Sequence, residues 1–390
     1  MGLYFHIPFC DAVCHYCDFA KTANFSSSHT EVFFRSLRFQ WTQWRQVLES
    51  HNGQPLRWSS LFFGGGTPSL FTEEYRPLMT EVTRQLLPQA EVTIEANPEM
   101  VTPDKCQHWL DLGFNRISLG VQTFSKQGLP LLTRTHSAAN AQRAIGIALD
   151  HFGKVNIDLI FGWPNQTIAQ WRDDLEMAAA TGVGHVSTYE LTYEGNTVFH
   201  KRAKRGVYQP LDERAYMEFH EQTEAALTGA GFRHEEVSNW SKPRQTCEHN
   251  WSYWQAKPYL GIGPGAHSHL YSRNKTIGER FAYDRQLARF TGKFDPAETL
   301  TIGDWQAPVV LDRDRDGRSW LAESLAVGLR TVRGVDWNRC LAVCGPKVQT
   351  LVEDLPTELT LEQGVLRLAE PEWLRVDSWV RWLLDRAQIP

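Results

Sequence analysis

The chain has no apolar run long enough to cross a bilayer, which takes about 20 residues, and no secretory leader ahead of its first motif. His6 stands where a myristoylation signal after Met1-Gly2 wants Ser or Thr, which argues against a lipid anchor. A cytoplasmic location is therefore expected. Excess positive charge is also missing: 40 Lys and Arg face 45 Asp and Glu, for a formal net charge of −5. That gives no support for a general nucleic-acid binder. Cysteine is sparse and odd in number, seven in 390 residues, which suits a reducing compartment and metal binding better than a disulfide framework. What is present is ordinary for a globular protein, 42% hydrophobic and 22% charged, at a length that fits one large α/β unit plus an appendage. Fifteen tryptophans are many; they suit large aromatic surfaces or a flat apolar ligand without requiring either.

Three of the seven cysteines, Cys10, Cys14 and Cys17, share one loop with spacing C-x3-C-x2-C. They follow an apolar run from Leu3 to Ile7 that reads as a strand. Pro8 and the crowding of thiols argue against a helix, so the loop can fold around one object. A closed zinc site takes four ligands, and so does an ordinary iron–sulfur cluster. Three thiolates on a four-iron cluster would leave one iron open to a non-protein ligand. The alternative is a zinc site completed by His6, His15 or Cys247.

Downstream, apolar runs and helical patterns alternate. Ser28-His29-Thr30-Glu31 reads as a capping box for a helix to about Glu49. Strands are expected at Ser59 to Phe63, Glu91 to Glu95, Arg116 to Gln122, Val155 to Phe161 and His185 to Thr192. Between and after them, helices are expected over Thr72 to Leu87, from Thr102-Pro103 to a stop at Gly113, and over Ala138 to Phe152. Two more run from the capping box Thr167–Gln170 to near Gly182 and over Asp212 to Leu227. Six strand–helix units predict an α/β fold, a partial (βα)6 barrel with its chemistry at the carboxyl ends of the strands. Cys10 to Cys17, Gly64-Gly65-Gly66-Thr67-Pro68, Glu95 and Asn97, Gln122, Asp158 and Thr192 all fall at or near those ends. The triple glycine lets backbone approach a ligand, or simply makes a tight turn; no Lys-Ser/Thr follows to make it a phosphate loop. Taken singly, the polar residues suit salt bridges at a barrel rim.

These motifs together resemble the radical S-adenosylmethionine (SAM) superfamily, whose signature is C-x3-C-x2-C with an aromatic, here Tyr16, before the last cysteine. Three further stretches resemble its branch containing oxygen-independent coproporphyrinogen III oxidase (HemN) and the heme chaperones (HemW): Ile94-Glu95-Ala96-Asn97-Pro98, Arg116 to Phe124 and Asn156 to Pro164. The resemblance implies a 4Fe-4S cluster on Cys10, Cys14 and Cys17. Its open iron would be chelated by SAM, which reduction can split to a 5′-deoxyadenosyl radical. It also implies a SAM pocket of Tyr4, Tyr16, Gly65, Gly66, Thr67, Glu95, Gln122, Arg134, Asp158 and Thr192. Thr133 stands where the family usually has glycine before this arginine.

Within the branch, Phe19 stands where the oxidase has a further cysteine, and His249-Asn250-Trp251-Ser252-Tyr253-Trp254 fits the H-N-x-x-Y-W pattern of the chaperones. The resemblance makes His249 an axial heme ligand with Tyr253 and Trp254 against the macrocycle, and His267 a second candidate. On residue types alone, the segment reads rather as an aromatic core with a hydrogen-bonded histidine, and Cys247 as a structural thiol. The expected function is heme chaperoning: delivery of heme to a respiratory protein, with transient contact at the membrane surface. Flavodoxin or ferredoxin would donate electrons if SAM is cleaved, and a homodimer is left open. Rival readings are porphyrinogen decarboxylation and radical methyl transfer or cyclopropanation.

The domains expected are a barrel core at 1–230, an extension carrying the HNxxYW motif at 231–299, and a mostly helical, winged-helix-like domain at 300–390. In the last, helices are expected over Trp320 to Thr331, Pro346 to Asp354 and Pro371 to Arg386, with a hairpin from Leu359 to Leu368 turning at Gln363-Gly364. Cys340 and Cys344 would share a helix face in its core. Asp312 to Gly317 followed by Glu323 matches a calcium-loop pattern literally but lacks a leading helix, so it is taken as a solvated turn.

Overall fold

Each apolar run bounded by a capping residue, glycine or proline becomes one element of a repeated unit in the computed structural model. It describes residues 1–271, 278–292, 300–302, 305–307, 309–311 and 317–386. The order is β1 (Gly2–Ile7), α1 (Ser27–Asn52), β2 (Trp58–Gly65), α2 (Arg76–Val82), β3 (Leu86–Ala96), α3 (Pro103–Asp111) and β4 (Arg116–Gln122). Then come α4 (Gly128–Leu131), α5 (Ala138–His151), β5 (Lys154–Phe161), α6 (Ile168–Ala180), β6 (His185–Glu190), α7 (Val198–Lys204) and α8 (Glu213–Gly229). Strands β1 to β6 pair in chain order, all parallel. Thr102, Ser137, Thr167 and Asp212 cap their helices, each side chain accepting from the backbone N–H three residues on.

Three boundaries differ from the sequence reading. Helix α1 is capped by Ser26, whose backbone N–H donates to His29 Nδ1 at 3.1 Å, rather than by Ser28. The helix expected over Thr72 to Leu87 shrinks to α2 between two 3-10 turns. Pro88 holds Leu87 extended, so Leu86 and Leu87 already belong to β3. Thr192 lies beyond the end of β6.

After β6 the sheet grows at both edges. β7 (Arg233–Glu236) and β8 (Asn239–Ser241) form a hairpin whose second strand runs antiparallel to β6. The chain then passes through α9 (Glu248–Trp254) to β9 (Tyr259–Ile262), which pairs parallel with β1 at the other edge. β10 (His267–Tyr271) and β11 (Gly278–Tyr283) follow antiparallel, then the short α10 (Leu287–Thr291). The segment after 300, expected to turn helical, first makes the hairpin β12 (Leu300–Ile302) and β13 (Trp305–Ala307), then β14 (Val309–Leu311), which pairs with β11. The large sheet thus runs past the boundary expected at 299, and its order is β14-β11-β10-β9-β1-β2-β3-β4-β5-β6-β8-β7.

The remainder is α11 (Gly317–Gly328), β15 (Val335–Asp336), α12 (Trp337–Cys344), a 3-10 turn, β16 (Leu359–Glu362), β17 (Val365–Leu368), another 3-10 turn and α13 (Val376–Arg386). The hairpin turns at Gln363-Gly364, both left-handed. Trp320, Leu325, Trp337, Cys340, Leu366 and Trp373 centre a core separate from that of the large sheet. Cys340 is fully buried there, while Cys344 donates to the Gly317 carbonyl at 3.3 Å. Asp312–Asp316 lie outside the described residues, and Glu323 pairs with Arg280. The two cores meet where Val237 donates to the Arg330 carbonyl and Val332 to that of Glu235, with Arg333 over the Trp251 ring at 3.8 Å.

Candidate functional site

The carboxyl ends of β1 to β6 open onto one cavity of about 1100 Å³. Cys10, Cys14 and Cys17 line it, and so do all ten residues expected around SAM: Tyr4, Tyr16, Gly65, Gly66, Thr67, Glu95, Gln122, Arg134, Asp158 and Thr192. The loop is pinned at its start, where Cys10 N–H donates to the Thr22 carbonyl at 3.0 Å. The glycine segment is threaded against it: Gly66 N–H donates to the Ile7 carbonyl and Thr67 N–H to that of Phe9, both at 2.7 Å. A Cβ on Gly66 would lie 2.6 Å from the Phe9 carbonyl oxygen and 3.0 Å from Cys10 Sγ. One on Gly65, at φ +110°, would lie 2.5 Å from the His6 ring. Glycine here is a requirement of close approach.

Two non-glycine residues take left-handed conformations at the rim. Gln122 (φ 68°) ends β4 at an irregularity in the β4–β5 pairing, a device that re-aims a side chain. Thr133 has φ 58°, in the position the family usually gives to glycine. Despite that departure, Arg134 reaches the cavity. Its guanidinium donates to Asn97 Oδ1 at 2.7 Å and to the Gly120 carbonyl at 2.9 Å, and lies 3.7 Å from Cys14 Sγ. Its buried Nε has no hydrogen-bond partner among the described residues.

Two carboxyls face each other across the floor. Glu95 accepts from Gly65 N–H at 3.0 Å; burial, with Asp158 adding to it, pushes it up to about 8. Asp158 is also raised by burial, but Ser118 Oγ at 3.0 Å and Asn156 Nδ2 at 2.9 Å moderate the shift. Burial likewise pushes the Cys10 thiol up to about 11 and raises Cys17.

The HNxxYW motif lies apart from the three cysteines. Helix α9 plugs the opposite, amino-terminal end of the barrel, and His249 is 1% exposed there. Its Nδ1 bonds Ser60 Oγ at 2.9 Å and its Nε2 bonds Tyr253 Oη at 2.8 Å, while its backbone N–H donates to Glu91. Phe62 stacks on the ring at 5.1 Å. Both ring nitrogens are engaged inside the protein; burial depresses its pKa to about 3, so it is neutral. Of the motif only Tyr253 lines the cavity, at its floor, whereas Trp254 does not.

A profile of the radical SAM superfamily matches residues 4–178. The chain is 36% identical over 349 residues to the heme chaperone HemW of Synechocystis, covering 86% of this chain and 79% of that one. It is 36% identical to the Escherichia coli heme chaperone HemW over 282 residues, 68% and 69% of the two chains. The chain belongs to the HemW family of radical SAM proteins. A bovine relative, the mitochondrial radical S-adenosyl methionine domain-containing protein 1, is 33% identical over 86% of this chain and 74% of its own. In fold, the chain resembles the coproporphyrinogen III oxidase HemN of Escherichia coli, with a TM-score of 0.73 at 18% identity over 99% of this chain and 89% of that one.

Radical SAM membership implies a 4Fe-4S cluster and SAM, and the HemW-family residues fit that pair. Among the described residues, no three His, Cys, Asp or Glu side chains are grouped to hold a single metal ion. Two of the three candidates to complete a zinc site are committed elsewhere. His6 bonds Tyr4 Oη at 2.9 Å and the Ala20 carbonyl at 2.7 Å, and Cys247 sits 3.5 Å from Glu91 at the plugged end. Three thiols, the close-approaching glycines and the buried Arg134 Nε together suit a cluster with an anionic, hydroxyl-bearing ligand beside it. Sequence reasoning passed over His6 as a positioning residue, Asn97 as the anchor of Arg134, and Arg285. Only Asn97 carried a signal, its place within the Glu95 motif.

Proposed function

We propose that this chain is a heme chaperone that holds a 4Fe-4S cluster on Cys10, Cys14 and Cys17, binds SAM beside it, and carries heme to a respiratory membrane protein. The convergence of three thiols and ten expected SAM residues on one cavity carries the cofactor part. Kinship to HemW proteins at 36% identity supports the heme part. When bound, the cluster and SAM supply one-electron chemistry. In this chain Glu95 or Asp158 would accept from the cofactor's hydroxyls or ammonium, and Arg134 would meet its carboxylate. Phe19, 62% exposed at the cavity edge, occupies the place of the oxidase's further cysteine and favours the chaperone over porphyrinogen decarboxylation.

Anaerobically reconstituted protein titrated with heme, and separately assayed for porphyrinogen conversion with SAM and reductant, tests this reading. Stable heme uptake without conversion is expected. Conversion without stable heme binding would overturn it in favour of the oxidase.

A further inference from the structure

Below the cavity floor the inner face of the barrel carries a polar layer. By register Ser118 on β4, Asn156 on β5 and His185 on β6 stand side by side, and Asp158 and Ser187 follow two residues further along, toward the cavity. Asn156, His185 and Ser187 are buried and do not line the cavity, whereas Ser118 and Asp158 do. Buried polar side chains are costly unless bonded, and these are bonded to one another in a single direction. Resting on the reading that Asp158 meets SAM, we infer that Asn156 is a positioning residue: its amide, oriented by His185, holds the Asp158 carboxylate as a hydrogen-bond acceptor facing the cofactor.

A carboxylate can only accept. Asp158 Oδ1 receives Asn156 Nδ2 at 2.9 Å, and Oδ2 receives Ser118 Oγ at 3.0 Å. The Ser118 hydroxyl can donate there because it accepts in turn from Asn156 Nδ2 at 2.7 Å. Ser187 Oγ lies 3.1 Å from the same nitrogen and donates to the amide oxygen at 3.4 Å. That oxygen also faces His185 Nδ1. Burial lowers the His185 pKa well below its ordinary value, so the ring is neutral with one N–H, which must sit on Nδ1 to meet an amide oxygen. Turned over, the amide would set its oxygen against Asp158. The tautomer of His185 thus fixes the amide, and the amide fixes the carboxylate.

The arrangement also bears on charge. Burial raises the Asp158 pKa, and the bonds from Ser187, Ser118 and Asn156 pull it back, with Arg116 on β4 adding to them. Glu95 on β3 and Tyr189 on β6 are the other titratable groups that face it among the described residues. Without the amide donor the Asp158 pKa rises, and a cofactor that needs an acceptor there binds more weakly as pH falls.

The test titrates full-length, cluster-loaded protein with SAM by calorimetry between about pH 5.5 and 8. Parent affinity is expected to fall as pH is lowered through the Asp158 pKa. Asn156→Leu is expected to weaken SAM binding about tenfold at neutral pH and to move that fall up by about one pH unit. His185→Leu, which frees the amide to turn over, should move it the same way, and His185→Asn, which keeps a donor nitrogen near the place of Nδ1, should restore the parent profile. In an Asp158→Asn background, Asn156→Leu is expected to add no further loss. Ser118→Ala removes a single hydroxyl donor to Asp158 and should give a smaller shift of the same sign, so the question stays decidable if the Leu variants do not fold. Variants that melt earlier yet keep the parent pH profile would overturn the assignment while leaving SAM binding intact. Parent protein that binds no SAM would overturn the cofactor reading with it.

Discussion

The two ends of the barrel are both polar, yet they are built to opposite ends. At the amino-terminal end, Glu91, Arg116, Lys154, Cys247 and His249 are closed over by α9. Glu91 accepts from Lys154 at 3.0 Å and from the His249 backbone, so the polar groups largely satisfy one another. At the carboxyl end, three thiols, two carboxyls with raised pKa values and Arg134 line an open cavity. Buried polarity that closes on itself is architecture; buried polarity that converges on empty volume is a binding site. The HNxxYW motif carries the chemistry of a ligand site but lies in the closed end.

The largest effect that separates the ends is loss of the metal centre. Replacing Cys10, Cys14 and Cys17 together by Ala should take iron and sulfide from roughly four each per chain to none, with the circular dichroism unchanged. Iron retained in that variant would mean other side chains hold it. Next comes the approach of the glycine segment. In Gly66→Ala the new methyl meets the backbone oxygens of Phe9 at 2.6 Å and Ile7 at 2.8 Å, and backbone cannot swing aside as a side chain can. The segment must retreat, at about 1–3 kcal/mol of stability, and calorimetry should show SAM affinity falling by roughly two orders of magnitude, about 3 kcal/mol. Parent-like SAM binding would show that this segment does not touch the cofactor.

At the closed end the expected losses are of stability. His249→Ala leaves Ser60 and Tyr253 without their partner and a hole beside Phe62, for about 3 kcal/mol at pH 7. The pH dependence gives the sharper reading. The folded pKa of about 3 lies below the unfolded value near 6.5. Between those values the unfolded chain holds more protons, so the neutral histidine's contribution is full above pH 6.5 and is lost as pH falls toward 3. In denaturant unfolding, the gap between parent and His249→Ala should therefore close as pH is lowered from about 6.5 to 4. A gap constant with pH would mean that His249 is not buried and neutral.

That same residue shows where sequence ceased to be legible. The parallel strands were readable because period-two apolar runs and helix caps are local signals, and Thr102, Thr167 and Asp212 sit where those signals put them. The cavity residues were readable because strand ends in such a fold all face one way. What could not be read was the route of the chain after β8. The i, i+4 spacing of His249 and Tyr253 declares a shared helix face, but nothing local says that α9 turns that face into the barrel rather than out to a ligand. Arg285 was hidden for the same reason: its neighbour at the cavity, Asp18, is 267 residues away in the chain.

The smallest expected effect concerns the seam where the open end is tied down. Thr133 is β-branched yet left-handed, a conformation that costs on the order of 1 kcal/mol where glycine pays little. Its hydroxyl, however, accepts from the backbone N–H of His15, next to Cys14, at 3.3 Å. Thr133→Gly relieves the strain, loses the hydrogen bond and loosens the unfolded chain, three terms of about 1 kcal/mol or less with opposing signs. Global stability should therefore shift by less than about 1 kcal/mol. The cysteine loop should nonetheless gain mobility, visible as faster amide exchange at His15 with little change at the plug. Exchange accelerated equally at both ends would mean that Thr133 supports the barrel as a whole, and that the open end is no more separately built than the closed one.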